Sequence, residues 1–536
     1  VIPTLLLIAS LLQPAAAPVP GVGVVAFENS GASGAQQVFL TGLAQLHNFE
    51  YDDAAKWFRK AEEIDPDFAL AYWGEAMTFN HPVWMEQDIA AARRALKRLA
   101  GTADERLAKA KTPREKAYLR AVEILYGDGD KYARDFAYAD AMADLHRAYP
   151  DDVDAAAFYA LALLGTAHEG RDAATYMRAA ALLEPLFPTH PGHPGIAHYL
   201  IHSYDDPVHA ALGLRAARAY SAIAPSAGHA QHMCSHIFLA MGMWDDVVTA
   251  NEAALRVVNA ARASRGQPPA ACGHYPSWLE YGYLQQGRIA AARQLLADCY
   301  KISREAVAQQ TVGPAPRLAP DKLGIPSLLT MRARFLLDTE EWTSEVVAWT
   351  LPPSGRRDAE VLERFMEGYA ALRTGRRDEA AAALERLRRA RTALDAELTN
   401  APPSDGTPAS ARAWAEILDF ELSSLLQAAR GETPAAIDGL RAAAHIEEKI
   451  PYEFGPPFVD KPSSELLGEI LLEAKRPAEA RAAFEKALAL SPARTQALVG
   501  LMRAAEQSGD AAKAAAIQAQ LQSIWRHADR APRARP

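Results

Sequence analysis

Cysteine is scarce in this chain, with three residues in 536 and no C-x-x-C-H run, which excludes a disulfide framework and a c-type haem attachment. Positive charge is not in excess either. The formal net charge of −9 leaves no broad basic surface, so no nucleic-acid partner is expected. No H-E-x-x-H motif, Gly-rich phosphate loop or G-x-S-x-G elbow occurs, which sets aside the hydrolase and nucleotide-dependent chemistries that those motifs carry. Beyond the first residues, no stretch approaches the ~20 apolar residues that a transmembrane helix needs.

What the chain has in quantity is apolar and helix-favouring residues. Its 49% hydrophobic content can bury a large core, and its many Ala, Leu, Arg and Glu residues favour helix over strand. The apolar run Ile2 to Leu12, followed by Gln13-Pro14-Ala15-Ala16-Ala17, reads as a signal peptide over residues 1–17, although a basic lead-in is missing and Pro18 follows the cut. That reading places the protein in the periplasm or outside the cell, with no stable membrane span after cleavage. There Cys272 and Cys299, near the open ends of one helical hairpin, are able to oxidise, while Cys234 falls on a packed helix position.

Histidine supplies the main signal. His47 and His81, His198 and His232, and His202 and His236 are each separated by 34 residues, and nine of the fifteen histidines lie between His190 and His274. A residue type returning at the interval of a stacked helix-turn-helix unit lies on one face of the stack. His198 with His202, and His232 with His236, are four apart on a helix and share its face. Adjacent helix axes lie roughly 8–10 Å apart, close enough for imidazoles of two helices to reach one ion through bonds of about 2.0–2.1 Å.

The segment with Leu467-Gly468, Ala480, Phe484, Ala487 and Pro492 closely resembles the tetratricopeptide-repeat family, as does the one with Gly42, Ala54, Phe58, Ala61 and Pro66. Weaker copies extend the resemblance over most of residues 35–525. It implies an all-α, right-handed helical solenoid. We divide the chain into an array with a His-rich groove over 35–310, a Pro-rich linker over 311–326, a second array over 327–525 and a tail over 526–536. The chain is similar to exported bacterial members of the family that carry His-rich central repeats.

In that family the second, fifth and ninth positions of each first helix face the concave groove. Carried over, His198 and His202 take the fifth and ninth positions of a helix over about 194–204. His229, His232 and His236 take the second, fifth and ninth of the next, and His274 and Tyr281 the second and ninth of a third. His47 and His81 occupy the thirteenth position in the first two repeats, where with Trp73 they form a candidate ligand-contacting patch. Asp205, Asp206, Tyr204, Glu169 and Tyr281 are candidates for proton transfer, the two aspartates also for orienting ligand imidazoles. The Pro451 to Pro457 loop reads either as a lid over the groove or as a surface connector.

An imidazole-rich site suits a transition metal, with export favouring copper and zinc the alternative, whereas calcium and magnesium want oxygen. The two H-x-x-x-H pairs also resemble the ligand arrangement of coupled dicopper proteins, in which helices supply three histidines to each ion. Three functions remain open: an exported scaffold holding a metal in its groove, a metalloenzyme (oxidative with copper, hydrolytic with zinc), and a metal-free scaffold for a protein or peptide partner.

Overall fold

The computed structural model describes residues 21–310, 323–351, 354–400 and 410–529. The expected signal peptide lies outside them. Among the described residues are 25 α-helices, and the only sheet is a two-stranded hairpin in which Asn80–His81 pairs antiparallel with Glu86–Gln87. Successive helices pack as antiparallel pairs, each pair against the next. Many helices begin at a side chain that accepts a first-turn backbone N–H, as at Asp88, Thr112, Asp130, Asp152 and Asp172. None of the described helices is long and apolar enough to cross a membrane.

The two best-formed repeats are held by the same steric device. Phe58 sits between Gly42 and Gly74, and Phe484 between Gly468 and Gly500, so one ring fills the gap between consecutive first helices. A Cβ on Gly500 would lie 2.2 Å from Phe484 Cζ, and the ring is fully buried with no room to retreat. Gly500→Ala is therefore expected to destabilise the C-terminal repeats by about 1–3 kcal/mol through overpacking, read as a lower denaturation midpoint. Pro66 and Pro492 lie just past the ends of the helices Tyr51–Ile64 and Pro477–Leu490, where the missing N–H costs nothing.

Three boundaries differ from the sequence expectation. The helix Ile325–Thr339 starts inside the expected linker, because Pro326 occupies the first turn of a helix, where proline is well tolerated. Residues 311–322 of that linker lie outside the described residues. His81 is not in a helix at all: the helix Ala69–Met77 ends short of it, and the chain turns into the small hairpin ahead of Pro82. The tail is partly structured, since Asp529 accepts the backbone N–H groups of Ile289 and Ala290.

That last contact belongs to a larger closure. Trp244 Nε1 donates to the Ala493 carbonyl (2.9 Å), Trp525 Nε1 to the Gln285 carbonyl (3.1 Å), and the Thr495 N–H to Gln285 Oε1 (2.9 Å). The C-terminal repeats thus dock on the middle of the chain, and the two expected arrays form one curled body. Arg494 lies buried in this seam, bonded to Asp338 (2.7 Å) and Glu465 (2.8 Å).

Cys272 and Cys299 form a disulfide, and Cys234 is a buried thiol that burial pushes up to about 12.

Candidate metal centre

The centre is built on three first helices, Pro194–Tyr204, Gly228–Ala240 and His274–Gln285, the first with the expected bounds and the third carrying His274 and Tyr281 as expected. They bring the six expected histidines together as two triads. His198, His202 and His229 form one; His232, His236 and His274 form the other. Within each, one ring nitrogen per residue lies within 4.8 Å of the others. The helices Pro194–Tyr204 and Gly228–Ala240 are buried along their whole length, so these imidazoles sit in packed protein rather than on a solvated face. His274 borders a large cavity.

The protons on these rings are fixed by their neighbours. His198 Nδ1 lies 2.7 Å from the His47 carbonyl, which only accepts, so the ring proton is on Nδ1 and Nε2 carries a lone pair. The Asn251 amide donates through Nδ2 to the Val247 carbonyl (2.9 Å) and turns Oδ1 toward His232 Nδ1 (2.7 Å), which must therefore be the donor. His236 Nδ1 donates to Asp205 Oδ2 (3.0 Å). His232 Nε2 and His236 Nε2 are then both unprotonated, and they face each other at 3.2 Å. Two lone pairs at that distance repel, and a shared cation turns the repulsion into attraction. In the other triad, His198 Nε2 and His229 Nε2 are also 3.2 Å apart, and His202 Nε2 is buried with no hydrogen-bond partner.

Electrostatics keep the rings neutral, as ligation requires. Burial holds His198, His229 and His232 well below the ordinary histidine value, and neighbouring imidazoles lower them further. Burial also lowers His236, whereas His274 lies exposed at the cavity wall. One carboxylate serves both triads. Asp205 Oδ2 faces His236 Nδ1 and, at 3.5 Å, His202 Nδ1, while Arg171 holds its other oxygen (2.7 Å). Burial alone would raise Asp205, but the hydrogen bonds from His202 and His236 and the Arg171 charge outweigh it and keep the group ionised. Asp206 takes the other side of Arg171 and His209 and does not reach the ligand rings.

Over the triads lies the 451–457 segment, which is a cover rather than a surface connector. The Phe454 ring centre is 5.0 Å from that of His236 and 6.0 Å from that of His202. Gly455 has φ +118 and would place a Cβ 2.6 Å from Trp278, so only glycine fits this turn. Beyond Phe454 and Trp278 opens a cavity of about 1440 Å³, with His274 in its wall.

Several expected residues lie elsewhere. Tyr204 bonds to Glu184 (3.0 Å), away from the triads. Tyr281 is buried beside Arg494, because the C-terminal repeats fill the groove at its position. Trp73 is a core residue covered by Phe27 of the segment preceding the first helix, and is not a ligand contact. His81 stacks on Tyr51 (4.0 Å), and it is Trp84 rather than Trp73 that reaches the centre, 5.8 Å from His229.

His47 groups with Asp154 and His193 instead of joining the triads. His193 caps its helix by accepting the Ile196 N–H on Nδ1, so its proton is on Nε2 and goes to Asp154. His47 Nε2 also faces Asp154 (2.8 Å), leaving Nδ1 for the Tyr199 hydroxyl (3.0 Å). Both rings thus spend Nε2 on a hydrogen bond, and the group reads as a buried polar brace whose His47 carbonyl orients His198. Asn251, Glu50, which accepts the His229 N–H (3.0 Å), and Tyr275, 3.4 Å from His229 Nδ1, support the centre without any pattern in the sequence to announce them.

Residues 463–494 match the tetratricopeptide-repeat family model. No curated protein matches the chain. Among solved structures it is similar to the APC/C hetero-tetramer Cut9-Hcn1 (13% identity, 89% of this chain and 78% of that chain, TM-score 0.33). The human IFIT1 dimer with m7Gppp-AAAA is similar at 13% identity, 93% and 91% coverage and TM-score 0.32, and yeast Tom70 at 12%, 92% and 92%, and 0.26. Residues 463–494 are thus a tetratricopeptide repeat, set within an all-α solenoid of stacked helical hairpins.

Proposed function

We propose that the protein is an exported metalloprotein that holds a pair of transition-metal ions, copper foremost, between three repeats of its solenoid and acts on a substrate admitted through the cavity. The observation that carries the reading is the 3.2 Å approach of two unprotonated nitrogens, His232 Nε2 and His236 Nε2. Three imidazoles per ion leave coordination positions open, which is the pattern of a reactive site; purely structural sites close with four ligands. Nitrogen ligands without thiolate favour copper over zinc in the affinity order. Held by three imidazoles each, paired copper ions would supply redox chemistry toward dioxygen.

The chain's own residues do the rest. Asp205, pinned by Arg171, orients one imidazole of each triad. Asn251 and the His47 carbonyl fix two more, and Phe454 with Trp278 limits water at the cavity side. Export is supported by the Cys272–Cys299 disulfide, a bond that persists in oxidising compartments. The groove of a tetratricopeptide-repeat solenoid also suits a protein or peptide partner, so the substrate class includes a peptide segment.

The test is elemental analysis of protein isolated without a metal-chelating tag. About two copper ions per chain are expected; two zinc ions would redirect the chemistry to hydrolysis, and a metal-free protein would overturn the reading. Asp205→Asn is expected to weaken both ions together by about 10–100-fold in competition with a chelator, because the carboxylate steadies a ligand of each.

A further inference from the structure

The two triads are not built alike, and the difference lies in the third ligand. One repeat step carries His198 to His232 and His202 to His236, but the same step from His229 lands on Ala263, and the ligand comes 11 residues later as His274. The delay is made by a long helix, Trp244–Ser264, and a following loop. His229 is held tightly: Glu50 accepts its backbone N–H, Tyr275 faces its Nδ1, and Phe49 and Trp84 flank its ring. The His274 ring makes no hydrogen bond among the described residues and meets the rings of His232 (4.5 Å), Trp278 (5.4 Å), Tyr275 (5.9 Å) and His236 (6.4 Å). Its position is therefore set by its backbone.

Resting on the paired-ion reading, we infer that the Cys272–Cys299 disulfide is the clamp that positions His274, so that the second metal site is complete only in the oxidised protein. Cys272 lies two residues before His274, with Gly273 at φ +108 making the turn between them. The bond ties this loop to Cys299, fully buried in the helix Ile289–Gln310, across a Cα–Cα distance of 4.8 Å. Gly324 gives Cys272 its seat, since a Cβ there would fall 2.6 Å from Cys272 Cβ. Upstream of Cys272 the loop is also tied by Arg262 Nε to the Pro268 carbonyl (2.6 Å) and by the Ala270 N–H to Asn259 (2.8 Å), and at Cys272 itself the only further polar contacts among the described residues are the weak ones of its sulfur with Ser303 Oγ (3.4 Å) and the Cys299 carbonyl (3.3 Å).

Reduction by a dithiol breaks the sulfur–sulfur bond. Two electrons and two protons pass to the chain to give two thiols, and the dithiol becomes a disulfide. The segment ahead of His274 is then freed, and the second ion is left with two imidazoles. The triad of His198, His202 and His229 takes no ligand from this segment, touches it only through Tyr275 (3.4 Å from His229 Nδ1), and keeps its ion. The centre thus assembles in two stages, the second licensed by an oxidising compartment.

The test compares wild type, the double variant Cys272→Ser/Cys299→Ser and His274→Ala, each loaded with copper, passed through gel filtration and analysed for metal, with helicity by circular dichroism. Both variants are expected to keep helicity and hold about one ion where wild type holds about two. Adding His229→Ala to the double variant should remove the remaining ion. Two ions retained in the double variant at wild-type affinity would overturn the inference, as would two ions in His274→Ala. Wild type without metal would instead overturn the paired-ion reading beneath it. Should the double variant lose helicity, folded wild type reduced with a phosphine, freed of reductant and then loaded gives the same comparison, with thiol titration reporting the extent.

Discussion

Replacing His236 by alanine is expected to take the protein from about two bound ions to about one, and to weaken the remaining one. The first loss follows because His236 supplies one of three nitrogens to its triad, with His232 only 3.2 Å away left to face the site without its partner. The second follows through Asp205, whose Oδ2 loses its closest imidazole partner and keeps His202 at 3.5 Å, while Arg171 holds only the other oxygen. His445→Ala is the matched control, since His445 is exposed on a remote helix. Metal content measured on both, beside wild type, decides the matter; equal content in all three would contradict the ligand assignment.

Arg494→Met carries the largest expected cost to stability, about 3–5 kcal/mol. The guanidinium is buried at 1% exposure, and its removal leaves Asp338 and Glu465 as buried carboxylates without their main countercharge. In the intact protein burial would raise Glu465, but Arg494 and Lys461 outweigh it and hold the group at about 2. Such a depressed group contributes stability above its unfolded value of about 4.3, and that contribution is lost as pH falls toward 2. In the variant Asp338, which burial already raises, loses its nearest cation, and Glu465 keeps only Lys461 (2.7 Å), so the pair is favoured by protonation and disfavoured as pH rises. Urea titrations at about pH 5 and about pH 8 should therefore show the larger deficit at the higher pH. A deficit that is small and independent of pH would mean that the seam is held by packing alone.

The 34-residue interval was enough to place four of the six clustered histidines, because a repeat copies its own geometry and carries each side chain to the same face. His229 and His274 followed from their place in the next helices. Residues whose environment comes from far along the chain were not legible. Tyr281 has the right position for the groove, yet Arg494, 213 residues away, fills the space in front of it. Trp73 faces the same way and meets Phe27 from a segment that no repeat pattern describes. His81 keeps the interval but not the helix, which ends at Met77, so spacing alone misplaced it. Asn251 sits on a second helix and reads as any polar helix residue until its amide is seen to be oriented by the Val247 carbonyl.

The return of the C-terminal repeats onto the hairpins around Trp244 and Gln285 changes how the molecule comes apart. An open stack of repeats frays from its free tips, because each unit leans only on its neighbours. Here the last units lean on the middle of the chain, so one of those tips is tied down. Loss of the final hairpin would loosen the helices that begin at Trp244 and end at Gln285 as well as shorten the stack, coupling breathing of the far terminus to the helices that carry the histidine triads.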